Sequence, residues 1–290
     1  MQALSFYLTY PFIYFLASLP FPLMYGVSDA LCFLIRLVSY RREVIVKNLR
    51  KSFPEKSDDE IRSLTRSYYA YLCDLMIETF KTLRMTEAEH RERVTLENPE
   101  LFQRFYDENK SVMLVLGHYG NWEWMGPCIT LNTPYQLVVI YRPLSNFYFE
   151  RMMTGMRTRF GTKITPVNQT LRAMVADRGT MTATAFIADQ AAPSNAYWTT
   201  FLHQETSVFT GPEKLGTKFN YPIIYLHSER RARGTYHIRG ELLFEHPKDT
   251  SENEISEAFT RRLEKDIIEN PTIWLWSHKR WKQTRPPVKD

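Results

Sequence analysis

The run Ser111-Val112-Met113-Leu114-Val115-Leu116 carries no charge and opens directly onto Gly117-His118-Tyr119-Gly120. A short continuous apolar run of this kind suits a strand buried on both faces. Similar candidate strands recur at 136–141, 163–167, 182–188, 223–227 and 236–243. Helical patterns fall between several of them, at 122–131, 146–160, 170–177 and 211–219. Strands alternating with helices build a sheet covered on both sides. The spacing therefore predicts an α/β fold, with a central, mostly parallel sheet flanked by helices. Ahead of it, residues 57–82 read as a helix. Ser57 and Glu60 form a capping-box pattern there, and Ile61, Leu64, Tyr68, Tyr71, Leu72, Leu75 and Ile77 make an apolar stripe. Residues 97–109 read as another helix and 252–270 as a closing amphipathic one. No repeat and no Gly/Ser-rich linker divides this part.

The N-terminus has a different texture. From Gln2 to Val27 there is no charged residue, a length sufficient for the ~20 apolar residues of a bilayer span. Pro11, Pro20 and Pro22 interrupt it, and Ser, Thr and Tyr dilute it, so an interfacial helix competes with a true span. No basic leader and no small-residue cleavage site marks a secretory signal. Arg36, Arg41, Arg42, Lys47, Arg50 and Lys51 follow at once. Positive charge beside a membrane segment marks the cytoplasmic side, and each such residue attracts anionic headgroups by roughly 1 kcal/mol. The alternative is a buried helical hairpin with a solvated basic face. The expected organisation is a membrane anchor over residues 1–40 and a catalytic domain over 41–290.

The net charge of +5 in 290 residues suits anionic partners. It is too small and too scattered for nucleic acid, and no nucleic-acid-binding signature is present. Cys32, Cys73 and Cys128 form no CxxC pair; they fit a reducing compartment and three buried thiols. Cys128 is the one nearest the central motif.

Where a strand ends and a helix begins, an open α/β sheet places its chemistry. Here that junction reads Gly117-His118-Tyr119-Gly120-Asn121-Trp122-Glu123. A histidine removes a proton from an alcohol near neutral pH, and a carboxylate on its other nitrogen fixes the tautomer. On one continuous helix His118 and Glu123 would point about 140° apart, so they meet only if the chain bends. Gly120 permits the bend and Asn121 can cap the helix that follows. No GxSxG nucleophile motif occurs, so the nucleophile of such a dyad would come from the substrate. The competing interpretation is a buried histidine beside a solvated glutamate. His90, His203, His227, His237 and His246 lack metal-ligand spacing. His278 reads as packing or surface, and Lys279, Arg280, Lys282 and Arg285 as a solvated face able to dock an acidic carrier.

The motif resembles the His-x4-acid motif of the glycerolipid acyltransferase superfamily, and in particular that of the late (secondary) acyltransferases of lipid A biosynthesis, lauroyl/myristoyl type. Further blocks are similar and in the same order: Tyr141-Arg142-Pro143 with Asn146, Arg157-Thr158-Arg159-Phe160-Gly161, Ala188-Asp189-Gln190, Thr210-Gly211 with Pro222, and Trp274-Leu275-Trp276-Ser277-His278-Lys279-Arg280-Trp281-Lys282 with Arg285-Pro286. The family more often has Pro where Ala188 stands. The resemblance implies transfer of a fatty acyl chain from acyl carrier protein or coenzyme A to a glycolipid hydroxyl, at the bacterial inner membrane on its cytoplasmic face. It implies no metal and no organic cofactor. It makes His118 the base, with Glu123 orienting it. An oxyanion needs preorganised donors, for which the turn at Gly120 and Asn121 and the guanidinium of Arg159 are candidates, with Arg142 the weaker one. Arg159 serves equally as a phosphate ligand, and Asp189 as a group that positions Arg159 or the acceptor. A lipid hydrolase or thioesterase, and a non-catalytic membrane-binding module, are the competing functions; an aminolipid or another glycolipid, such as an inositol glycolipid, is a competing acceptor.

Overall fold

A computed structural model describes residues 2–286, so Met1 and residues 287–290 of the two expected segments lie outside it. Four helices come first: α1 Gln2–Ser18, α2 Phe21–Leu37, α3 Arg42–Ser52 and α4 Asp58–Lys81. Then α5 Glu87–Arg93, β1 Val94–Leu96 and α6 Pro99–Asp107 lead into β2 Val112–Leu116. The alternating part follows: α7 Trp122–Asn132, β3 Gln136–Tyr141, α8 Phe147–Thr158, β4 Lys163–Pro166, α9 Thr170–Ala176 and β5 Thr182–Ile187. The chain ends with β6 Tyr197–Phe201, β7 Gln204–Val208, α10 Gly211–Phe219, β8 Ile223–Ala232, β9 Thr235–Phe244 and α11 Glu254–Glu269.

Seven strands form one sheet in the order β1-β9-β8-β2-β5-β3-β4, and every pairing is parallel except β8 with β9. The expected α/β sheet is thus present, with β2 between β5 and β8. All five residues of β2 are buried, which is why the strand reads as a continuous apolar run. Its side chains alternate between two cores. Met113 and Val115 pack with Tyr68 and Tyr71 of α4 and Phe259 and Leu263 of α11. Val112, Leu114 and Leu116 pack with Met24, Phe102, Phe105 and Trp124. The capping box forms as expected: the Glu60 carboxylate accepts from the Ser57 backbone N–H at 2.8 Å, and Ser57 Oγ accepts from Glu60 N–H.

The N-terminal helices have two faces. On α2, Met24 and Phe21 sit in the second core. Ser28 Oγ donates to Asp74 of α4 at 2.7 Å, and Asp74 also accepts from Arg230 and Arg233 at the β8–β9 turn, each at 2.6 Å. On the other face Tyr7, Leu8, Phe12, Phe15, Phe33 and Leu37 are exposed. No helix among the described residues is long and apolar enough to cross a membrane; α2 and α3 reach that length only together, bent at 89°. The prolines explain this: Pro20 precedes the first residue of α2 and separates it from α1.

Two features differ from expectation. The β6–β7 hairpin is additional. Its turn places Leu202 and His203 at positive φ, 49° and 62°; without Asn-Gly or Asp-Gly the sequence carries no hairpin signal. Strands β8 and β9 are longer than 223–227 and 236–243 and pair antiparallel. Cys128 is buried as expected, and burial pushes its thiol up to about 12, which removes it from reactive chemistry.

Candidate active site

Register assembles the site. Leu116 of β2 pairs with Ile187 of β5 in parallel, so the residues two further on, His118 and Asp189, emerge side by side at the carboxyl edge of the sheet. The Asp189 carboxylate holds the histidine twice. Oδ1 lies 2.6 Å from His118 Nδ1, and Oδ2 accepts the His118 backbone N–H at 2.8 Å. Trp274 Nε1–H donates to Oδ2 as well, at 2.8 Å. A carboxylate only accepts, so Nδ1 carries the proton and Nε2 is the free basic nitrogen of the neutral ring. The amide nitrogen of Gln190 reaches it at 3.3 Å.

Burial works to raise the Asp189 carboxyl. Attraction to the imidazole of His118 once protonated and the hydrogen bonds from His118 and Trp274 outweigh it and hold the group at about 2, below the ordinary 3.8. Gly117 allows this close approach: a Cβ there would lie 3.3 Å from Asp189 Oδ2 and 2.7 Å from Leu263 Cδ1.

Behind His118 the chain turns as the sequence suggested. Gly120 has φ +63°, and a Cβ there would collide with Ser228 Oγ. Its N–H donates to Ile273 O at 2.9 Å and its carbonyl accepts from Tyr71 O–H at 2.7 Å. That amide is therefore committed and cannot serve as an oxyanion donor. Asn121 caps α7, its Oδ1 accepting from Trp124 N–H at 3.0 Å, and it is fully buried. Its Nδ2 donates at 2.8 Å to the buried Glu78, which also accepts from Tyr25 and Tyr236. Asn121 is held as part of the turn rather than presented to a ligand.

Glu123 corrects the expectation. It makes no hydrogen bond to His118. At the second residue of α7, its carboxylate meets Arg157 of α8 in a bidentate pair, Nε at 3.0 Å and Nη2 at 2.6 Å. The bend at Gly120 is real, but Asn121 starts the helix and Glu123 leaves on the flank facing α8, while Asp189 already occupies Nδ1. Asp189 accordingly does not position Arg159. The Arg159 guanidinium lies over Phe160 and donates Nη1 to Thr82 O at 2.9 Å, tying the end of α8 to that of α4. Arg142 is exposed on the loop after β3.

The C-terminal segment contributes more than the sequence suggested. Leu275 N–H donates to His118 O at 3.1 Å, and Tyr119 bridges to Trp274. Arg280 is buried, not part of a solvated face; its Nη1 donates to Thr206 Oγ1 and burial lowers it to about 10. Burial likewise lowers His278, which lies close enough to feel the charges of Asp189 and His118. Lys279 and Lys282 are exposed, and Arg285 pairs with Glu205 at 2.9 Å. Trp274, Arg157 and Gln190 fall within the family-like blocks, but nothing in their spacing marks them as partners of the site.

The arrangement is a base with one nitrogen fixed by Asp189 and the other reached only by the Gln190 amide, without a serine or cysteine nucleophile hydrogen-bonded to the histidine among the described residues. Over 276 residues the chain is 25% identical to the lipid A biosynthesis palmitoleoyltransferase of Escherichia coli (strain K12), covering 93% of this chain and 88% of the relative. The match to the lipid A biosynthesis acyltransferase of Shigella flexneri has the same extent and identity. The family profile described as bacterial lipid A biosynthesis acyltransferase matches residues 1–283, and the chain belongs to that family.

Proposed function

We propose that the protein transfers a fatty acyl chain from a thioester donor, acyl carrier protein or acyl-coenzyme A, to a hydroxyl of a membrane glycolipid, a lipid A precursor. The observation that carries this is the His118–Asp189 contact at 2.6 Å, which leaves Nε2 with only the Gln190 amide at 3.3 Å. The acceptor hydroxyl takes the place of Gln190 at Nε2 and gives its proton to that nitrogen. Its oxygen then attacks the thioester carbonyl carbon. The tetrahedral intermediate collapses, the C–S bond breaks, and the leaving thiolate takes the proton back from the imidazolium. Asp189 stabilises the imidazolium while it lasts.

The oxyanion needs donors worth roughly 3–4 kcal/mol each. Arg157 replaces Arg159 in this role: Glu123 takes its Nε and Nη2 and leaves Nη1 without a hydrogen bond among the described residues. Glu123 thus acts on the reaction by holding Arg157 rather than by orienting His118.

The enzyme works attached to a membrane, the inner membrane by analogy with its family, with the catalytic edge on the cytoplasmic side. Leu8, Phe12, Phe15, Leu23, Phe33 and Leu37 support this, since apolar side chains exposed on two consecutive helices suit interfacial attachment. The test is transfer of a labelled acyl group from acyl carrier protein to a lipid A precursor by purified enzyme in detergent. Product ester with the acceptor present is expected. Free fatty acid released at the same rate without acceptor would make the protein a thioesterase instead.

A further inference from the structure

A second constellation lies away from the catalytic turn and rests on helical periodicity. On α3, Arg42, Val46 and Arg50 recur at four-residue spacing; on α4, Asp58, Arg62 and Arg66 do the same. Residues so spaced share one helix face. These two faces line a cleft of about 250 Å³, together with Arg36 and Ser39 at the exit of α2 and Ile61, Thr65 and Tyr69 of α4. Five guanidinium groups line it against one carboxylate, Asp58. Asp58 pairs with Arg50 at 2.8 Å, and Arg62 pairs with Asp59 on its own helix. Among the described residues, no carboxylate lies within 4.0 Å of the charged nitrogens of Arg36, Arg42 or Arg66. Guanidinium groups left facing one another repel, and their planar forks match phosphate oxygens.

What adjoins the cleft selects the ligand. Phe33, Leu34, Leu37 and Val38, around Arg36, are 63%, 57%, 65% and 75% exposed. Apolar side chains beside an arginine-lined hollow reproduce the layering of a bilayer surface, acyl chains next to phosphates. We propose that this cleft binds the phosphate of an anionic phospholipid headgroup and thereby fixes how the helical end of the enzyme sits on the membrane. The proposal rests on the membrane attachment proposed above.

The test uses the full chain and sedimentation with vesicles of phosphatidylcholine, alone or mixed with phosphatidylglycerol. Wild type is expected to bind the mixed vesicles more tightly. The double variant Arg42→Gln/Arg66→Gln should lose about 30-fold in affinity for them, since a basic residue at an anionic surface contributes ~1 kcal/mol and ~1.4 kcal/mol is tenfold. Its binding to phosphatidylcholine alone should be unchanged. Lys47→Gln/Lys51→Gln removes the same charge from α3 outside the cleft and should cost clearly less. Arg36→Gln/Arg62→Gln repeats the test if the first pair does not fold. Equal losses in the cleft and lysine pairs would reduce the site to diffuse charge and overturn it. So would intact vesicle binding with a raised KM for acyl carrier protein, which would make the cleft a carrier site. Wild type that binds neither vesicle would overturn the membrane attachment itself.

Discussion

A histidine that accepts a proton from an alcohol must keep one ring nitrogen for substrate and have the other held. Asp189 does the holding, with two oxygens and three donated hydrogen bonds. Its replacement by Asn keeps the shape but offers Nδ1–H a weaker and ambiguous partner. Asp189→Asn should therefore lower kcat by about 10⁴-fold, the size seen for the same change in a hydrolase triad. His118→Ala should lose at least the ~10²–10⁴-fold of general-base catalysis. Steady-state acyl transfer measures both, and a loss below tenfold in either would remove the mechanism. Glu123 and Arg157 form a separate unit. Glu123→Ala and Arg157→Ala should be strongly non-additive with each other, whereas Glu123→Ala should still lower the residual activity of His118→Ala. If the His118/Glu123 double variant is no slower than His118→Ala alone, Glu123 serves the base after all. Asp189 also carries a pH signature. Its folded value is depressed to about 2, so its stabilising contribution is complete above the ordinary carboxylate range, about 4, and fades as pH falls toward 2. Denaturant unfolding across that window should show a loss in wild type that is smaller in Asp189→Asn.

At the level of elements, the site is three chain segments tied together. The turn after β2 supplies His118, the end of β5 supplies Asp189, and the segment 273–276 straps both through Ile273 O, Trp274 Nε1 and Leu275 N–H. Gly117→Ala tests how tight this junction is. The added methyl meets Leu263 at 2.7 Å, so an overpacking cost of about 1–3 kcal/mol and a fall in kcat from displaced Asp189 are expected; unchanged kinetics would show that α11 yields freely. Asp74 plays the corresponding part for the N-terminal helices, joining α2, α4 and the β8–β9 turn. Asp74→Ala leaves the half-buried Arg230 without its carboxylate and should cost about 3 kcal/mol, read from the urea midpoint. A shift below a quarter of that would mean the network contributes little.

For the molecule as a whole, the exposed apolar faces of α1 and α2 lie on helices whose inner faces are buried in the body of the protein. The expected outcome is that full-length protein pellets with membranes at low salt, and that replacing Leu8, Phe12 and Phe15 with Ser releases it while the purified variant still transfers acyl groups in detergent. Recovery of wild type from the soluble fraction without detergent would count against attachment.

How much of this was legible in the sequence differs by kind of interaction. Period and punctuation are local, so the sequence alone determined the alternating α/β order, the capping box at Ser57, the bend at Gly120 and the cap at Asn121, and the ordered blocks gave the family resemblance. Strand register is not local. Only tertiary structure decided that Asp189, 71 residues beyond His118, stands level with it, because that follows from Leu116 pairing with Ile187 across a parallel sheet. The nearer carboxylate, Glu123, was the natural candidate by spacing, yet the direction in which it leaves α7 is set by Arg157 on another helix. Burial was equally out of reach for Arg280, whose neighbours Lys279 and Lys282 are exposed. A charged residue in a basic run reads as solvated until the hairpin that covers it is in place.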